Sequence, residues 1–316
     1  MENEVLGNVI PSGRGNAKRN KRNKRANLIP QFKSESGVEP GTRIGDILLR
    51  EGKLVAEHMG RVHEYQAAQH IRFGEAAVQL GLVSDEDVQQ ALAYQFDYPY
   101  LPVDDERIDP EVIAAFRPFD PRVEAFRALR AQVVLRWLSV GTGGRAFAVI
   151  GPGRGDGRSY LAANLAVVFA QLGTRTVLID ADMRNPRQHK IFKVSNQSGL
   201  SQILAGRGEP ESIQHVPPFR ELSVIPAGSL PPNPQELLVR PQFEDLLDEL
   251  ANEYRVIIVD TPAGVNGADV QFVVRSTRAA LMVIRKNHTR VRRATRFAQD
   301  LGPTGVSVLG TVLNRY

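Results

Sequence analysis

From residue 146 to residue 314 short apolar runs alternate with amphipathic stretches: AFAVI (146–150), TVLID (176–180), LSVIPA (222–227), VIIVD (256–260), AALMVI (279–284) and VSVLGTVLN (306–314). Runs that are apolar at every position, rather than at alternate ones, predict strands buried on both faces. The stretches between them predict helices starting near residues 158, 241 and 289. The expected class is therefore α/β, with a mostly parallel sheet covered by helices on both faces.

Upstream, the pattern repeats itself. RIGDILLREGKLVAEHMGRVHEYQ (43–66) superposes on RFGEAAVQLGLVSDEDVQQALAYQ (72–95) at an offset of 29 residues. The matched pairs include Arg43/Arg72, Ile44/Phe73, Gly45/Gly74, Gly52/Gly81, Met59/Val88 and Gln66/Gln95. Each unit predicts a short helix closed by Gly52 or Gly81, a turn, and a second helix, with Ser84 and Asp87 opening the second helix of the second unit. Prolines at 99, 102, 110, 118 and 121 then make a long regular element unfavourable and set an expected domain edge near 118–122. Three parts follow: a tail (1–40), a small helical tandem-repeat domain (41–118) and an α/β domain (122–316).

Charge changes the picture only for the tail. The 316 residues carry 40 Lys+Arg against 35 Asp+Glu, and residues 1–40 hold eight basic residues against four Glu, so +4 of the net +5 sits there. This segment, with its KRNKRNKR run and few apolar residues, is expected to be disordered. It reads first as a solvated solubility tail and next as a patch touching an anionic membrane surface, ahead of nucleic acid, because no aromatics interleave the basic run. The absence of cysteine excludes disulfides, thiolate metal sites and a cysteine nucleophile. No apolar run of about 18 residues and no signal core occur, so a soluble cytoplasmic chain is expected.

The chemistry concentrates in GPGRGDGRS (151–159), between the first apolar run and a helix. A glycine-rich turn in that position converges backbone N–H groups on a polyphosphate, as in a P-loop. Asp180, Asp182 and Asp260 fall at the ends of two further strands, which gather on one rim of a parallel sheet, where they face phosphates and Mg²⁺; Ser159 is the expected hydroxyl ligand of that ion. Arg158 stands where G-x-x-x-x-G-K-[ST] has Lys, a planar fork in place of a point charge.

With GRGDGRS, VLIDADMRNP, IIVDTPA and the helix EAFRALR in this order, positions 122–316 resemble the cytoplasmic catalytic domain of the bacterial tyrosine kinases that control exopolysaccharide chain length. The resemblance implies ATP and Mg²⁺ as cofactors. Gly153, Gly155, Asp156, Gly157, Arg158, Ser159 and Tyr160 would surround the phosphates. Asp180 and Asp182 would polarise the attacking hydroxyl, with Arg158 on the phosphates. Ser159, Asp180 and Asp260 would hold the metal, and Asn314 would lie near the adenine. Glu124, Arg127 and Arg130 match the family's E-x2-R-x2-R oligomerisation helix, implying a homo-oligomer. A transmembrane polysaccharide co-polymerase would be the activating partner, placing the chain at the inner face of the cell membrane. Where the family has a tyrosine-rich tail, Tyr316 is the only tyrosine after Tyr254, so autophosphorylation on a tail cluster is not expected. The alternatives are a nucleotide-responsive switch of the same system and a partition ATPase similar to ParA and MinD. The latter group has a second Lys early in the loop, where this chain has Gly153.

The tandem repeat is similar to the N-terminal domain of type II secretion and pilus assembly ATPases, some of which bind cyclic di-GMP. That similarity would put Arg43 and Arg72 on guanine and phosphate, let Gly45, Gly52, Gly74 and Gly81 bring backbone close to the ligand, and add amide contacts from Gln66 and Gln95. A docking module without ligand is the competing reading.

Overall fold

The tandem repeat folds into four helices, α1 (Ile44–Arg50), α2 (Ala56–Gln69), α3 (Phe73–Gln79) and α4 (Asp85–Gln95). In the computed structural model the described residues are 43–95, 99–102, 104–138, 145–266 and 268–315; the expected tail lies outside them. Gly52 and Gly81 both follow their helices at φ +67°, a left-handed conformation that returns the chain, and Lys53 and Leu82 donate backward to Leu48 (2.9 Å) and Ala77 (3.0 Å) in the same way. Ser84 and Asp87 exchange hydrogen bonds at the start of α4: Asp87 N–H donates to Ser84 Oγ (3.1 Å) and Ser84 N–H to Asp87 Oδ2 (3.0 Å). Lys53 pairs with Asp87 at 3.0 Å, joining one unit to the other.

The remaining glycines of the repeat serve packing. Gly45 sits against Met59 and Phe73, and Gly74 against Val88 and Ile44, so matched positions of the two units make matched contacts around a shared core of Ile47, Leu48, Val62 and Ala76. This corrects the expectation that Gly45 and Gly74 open backbone to a ligand, because both are buried inside the repeat. A Cβ on Gly74 would lie 2.5 Å from Val88 Cγ1, whereas one on Gly60, within α2, would meet nothing. Gly74→Ala is therefore expected to destabilise the repeat by about 1–3 kcal/mol through overpacking. Gly60→Ala should stabilise it by about 0.5–1 kcal/mol by removing a helical glycine. Urea unfolding of the two variants measures both.

The expected edge near 118–122 is not an edge in packing. Ile108, Val112, Ala114 and Ala115 are fully buried within the α/β core. Ala114 N–H donates to Asn164 Oδ1 (3.0 Å), Gln171 Nε2 donates to the carbonyls of Pro99 and Ala114 (2.8 Å each), and Asp109 N–H donates to the Ile191 carbonyl (2.8 Å). The prolines shorten the helix here to α5 (Ile113–Phe116), but its apolar residues still need a core, and the α/β layer supplies it.

Beyond α5 come α6 (Pro121–Val133), β1 (Ala146–Ile150), α7 (Arg158–Ala170), β2 (Thr176–Asp180), α8 (Gln188–Ile191), α9 (Leu200–Leu204), β3 (Gln214–His215) and β4 (Leu222–Ile225). The chain continues through α10 (Pro234–Leu238), α11 (Pro241–Glu253), β5 (Val256–Asp260), α12 (Asp269–Thr277), β6 (Ala279–Arg285), α13 (Val291–Leu301) and β7 (Ser307–Asn314). The sheet order is β3-β4-β2-β5-β1-β6-β7, and every pairing is parallel except that of the short edge strand β3. Every residue of β2 and β5 is buried, which explains their unbroken apolar runs. One apolar layer joins α5, α6 and α7 to the sheet and the other joins α11, α12 and α13. Among the described residues no helix is long and apolar enough to cross a membrane.

Candidate functional site

The turn 151–157 leads from β1 into α7, a helix of 13 residues whose first-turn amides have no partner within the helix. Gly157 takes φ 101° at the N-cap, and a Cβ there would run into the side-chain amide of Asn314. Only glycine meets both demands. Together with Arg154, Asp182, Asn185, Arg187 and Arg285, the loop and the start of α7 line a cleft of about 300 Å³.

The loop is held from both sides. Within it, Gly153 N–H donates to Asp156 Oδ2 at 2.6 Å, and Thr289 Oγ1 donates to Asp156 Oδ1 at 2.6 Å. Outside it, His288 Nε2 donates to the Arg154 carbonyl (3.0 Å), Arg285 to the Gly155 carbonyl (3.4 Å) and Asn314 Nδ2 to the Asp156 carbonyl (3.2 Å). Gly153 and Asp156, expected on the phosphates, are thus engaged with each other and shape the loop. Asn314, expected near an adenine, braces the loop backbone.

Arg158, expected on the phosphates, lines the cleft and is also tied into the loop. It is 8% exposed, and its guanidinium donates from Nε to the Thr261 carbonyl (3.0 Å) and from a terminal nitrogen to the Gly153 carbonyl. Two of its five donors are spent on backbone, stapling the loop to the end of β5, while the residue still lines the cleft. Thr261 in turn donates through Oγ1 to the Val149 carbonyl (2.8 Å), so β1, β5 and the loop form one braced unit.

The three acids occupy distinct environments. Asp180 and Asp260 are register partners on the adjacent ends of β2 and β5, and both are fully buried. Asp180 accepts from the backbone amides of Asp182 (3.1 Å), Arg187 (2.9 Å) and Gln188 (2.9 Å), so it shapes the 180–188 turn instead of lining the cleft. Burial, and then the neighbouring Asp260 charge, hold its carboxyl well above the ordinary carboxylate range. Asp182 lines the cleft and accepts from Asn185 N–H at 3.0 Å. Of the two acids expected to polarise a hydroxyl, Asp182 lines the cleft and Asp180 is not among its lining residues.

Asp260 Oδ2 accepts from Gln188 Nε2 at 2.7 Å, Ser159 lies close enough to the same carboxyl to favour its charged form, and Oδ1 is buried with no partner. Gln188 Oε1 is likewise buried and unpartnered. A buried oxygen without a donor is costly unless a cation or a bound group completes it. Among the described residues no group of three or more His, Asp or Glu side chains is placed to hold a metal by itself, so Mg²⁺ would be bound through one carboxylate and a hydroxyl together with phosphate oxygens and waters. Ser159 and Asp260 fit that ion.

Desolvation pushes Asp260 up from 3.8 to about 6. Because its folded value is raised, the protonated form is favoured below that pH and a cation must displace the proton. Mg²⁺-dependent nucleotide affinity should therefore fall as pH drops through about 6, approaching tenfold per unit below it. In the metal-free protein the sign reverses, and stability should fall as pH rises from about 4 through about 6. Titrations and melting curves across that range test both.

Glu124, Arg127 and Arg130 lie on α6, capped by Asp120. Arg127 pairs with Glu124 at 2.9 Å, the Glu124 side chain is 71% exposed, and Arg130 donates to the Val168 carbonyl of α7. Tyr160 packs edge-on against Phe126 of α6, joining this helix to the cleft wall. Arg43 and Arg72 stand exposed at the starts of the equivalent helices α1 and α3. Gln188, Thr289, Arg285 and His288 were not read from the sequence; of these only Arg285 carried a signal, as a cation at the end of an apolar strand.

A strand, glycine-rich loop and helix with acids at neighbouring strand ends define a P-loop nucleotide-binding protein. The chain is 36% identical over 203 residues to the tyrosine-protein kinase Etk of Escherichia coli, covering 64% of this chain and 28% of Etk. It is 37% identical over 163 residues to CapB of Staphylococcus aureus, covering 51% of this chain and 70% of CapB. The solved kinase domain of Escherichia coli Etk superposes with a TM-score of 0.62 at 33% identity, covering 68% of this chain and 80% of that domain. No protein-family model matches the chain. The chain belongs to the family of bacterial tyrosine-protein kinases.

Proposed function

We propose that the α/β part binds ATP with Mg²⁺ and transfers the γ-phosphoryl group to tyrosine. The observation that carries this is the buried, unpartnered oxygen of Asp260 beside Ser159 at the glycine loop. The first-turn amides of α7 and the loop bind the phosphates. Ser159 and Asp260 would hold Mg²⁺, which would supply charge neutralisation at the phosphate oxygens. Asp182 orients the tyrosine hydroxyl and takes its proton as the phenolic oxygen bonds to the γ-phosphorus and the bond to the ADP oxygen breaks. Incubation with Mg·ATP followed by mass spectrometry should find phosphotyrosine on the wild type and none on Asp182→Asn. ATP binding without phosphotyrosine would favour a second reading, a nucleotide-responsive switch, which the two backbone bonds of Arg158 support.

The wider setting is part of the proposal, since the chain spans 28% of the length of Etk. In it the kinase serves exopolysaccharide export at the inner face of the cell membrane, activated by a transmembrane co-polymerase. The exposed Glu124 with Arg127 and Arg130 contributes to a homo-oligomer, and the basic tail meets anionic lipid. For the tandem repeat, packing accounts for Gly45 and Gly74 and left-handed caps for Gly52 and Gly81, which favours a docking module. Titration with cyclic di-GMP tests the alternative at Arg43, Arg72, Gln66 and Gln95.

A further inference from the structure

The charge of the α/β part is far from even. Residues 285–296, RKNHTRVRRATR, hold six Lys/Arg and no acid, while α11 carries five Asp/Glu and no Lys/Arg. The near-neutral sum outside the tail conceals this polarity. The basic segment starts at the cleft: Arg285 lines it, and His288 and Thr289 bond to the glycine loop. Immediately after them, α13 turns Ala294 and Leu301 into the core, with Phe297 and Ala298 packed beside them. Arg292, Arg293 and Arg296 are left exposed on the opposite side.

Among the described residues none of these three arginines takes part in an ion pair. Like charges three and four positions apart on a helix repel. Such a face is better suited to an anionic ligand than to stability. Apart from Val291, which is exposed, the apolar residues of α13 are covered, leaving a single side chain to insert into a lipid surface, and its contiguity with the cleft points to the molecule that enters the cleft.

We propose that the exposed arginine face of α13, Arg292, Arg293 and Arg296, is a docking subsite for acidic residues flanking the tyrosine of a peptide substrate, which makes acidic tyrosine segments the preferred phosphoacceptors. The proposal rests on the tyrosine-kinase reading and deepens it. Arg292 and Arg296 are separated by about 6 Å along the helix. An extended peptide advances about 3.3 Å per residue, so two or three acidic residues in a row cover the face.

The test is the charge-reversed variant Arg292→Glu/Arg293→Glu/Arg296→Glu. Fluorescence anisotropy of a labelled glutamate-flanked tyrosine peptide, read without nucleotide, should show binding that weakens at least about tenfold in the variant and with added salt in the wild type. The lysine-flanked version of the peptide should bind the variant better than the wild type. Mg·ATP affinity, measured in parallel, should be equal in the two proteins; its absence from both would sink the kinase reading and leave the docking measurement to stand by itself. Equal peptide binding by wild type and variant would overturn the proposal. So would binding of phosphatidylserine vesicles that the reversal abolishes while the peptide binds neither protein. Should the variant fail to melt cooperatively, the single reversal Arg293→Glu gives the same reading with a smaller change.

Discussion

Asp260→Asn is expected to abolish phosphoryl transfer, by at least about 100-fold, while leaving the fold as stable as the wild type or more so. The side chains are nearly isosteric, and the amide oxygen still accepts from Gln188. What disappears is the charge that would hold Mg²⁺. In the metal-free protein that charge is a burden, because burial raises the carboxyl to about 6 and ionising it at neutral pH works against desolvation. Melting curves without metal near pH 8 should therefore show no loss, whereas Mg·ATP affinity and turnover should collapse together. A variant that melts much lower and still binds Mg·ATP would mean that Asp260 is a structural acid and that the metal site lies elsewhere.

The second large effect settles a direction that the sequence leaves open. With Arg158 where a P-loop has lysine, Arg158→Lys raises turnover if the arginine is a handicap and lowers it if the site is built around the guanidinium. The structure predicts a loss. The guanidinium donates to the Gly153 and Thr261 carbonyls at once, and a single ammonium on a flexible stem does not reproduce that fork. Arg158→Ala removes both donors, and each buried carbonyl left without one costs about 1–3 kcal/mol. For a protein of this size each kcal/mol lowers Tm by about 2–4 °C. Arg158→Lys should fall between wild type and Ala in Tm and bind nucleotide more weakly than the wild type. Higher turnover with an unchanged Tm would show that the arginine is dispensable to the loop.

These two residues also mark where sequence reading succeeds and stops. Asp260 was legible because a strand buried on both faces must be apolar, so an acid at its last position stands out. The glycine loop was legible for the same reason, between β1 and α7. The two-residue strand β3 and the short helices α8, α9 and α10 fall below the length at which periodicity distinguishes anything. The direction of Arg158 depends on a carbonyl 103 residues away, and the engagement of Asp156 on a hydroxyl 133 residues away, distances across which local pattern carries no information. The same limit explains the repeat, where the offset of 29 residues was plain but the use of Gly45 and Gly74 became visible only when Met59, Phe73 and Val88 were placed against them.

The most direct test of the account is isothermal titration of ATP into the wild-type chain with Mg²⁺ and then with the metal chelated. The account predicts one nucleotide per chain, bound in a Mg²⁺-dependent manner that Asp260→Asn removes. Failure to bind ATP with Mg²⁺ present, or binding indifferent to both the metal and Asp260, would contradict it.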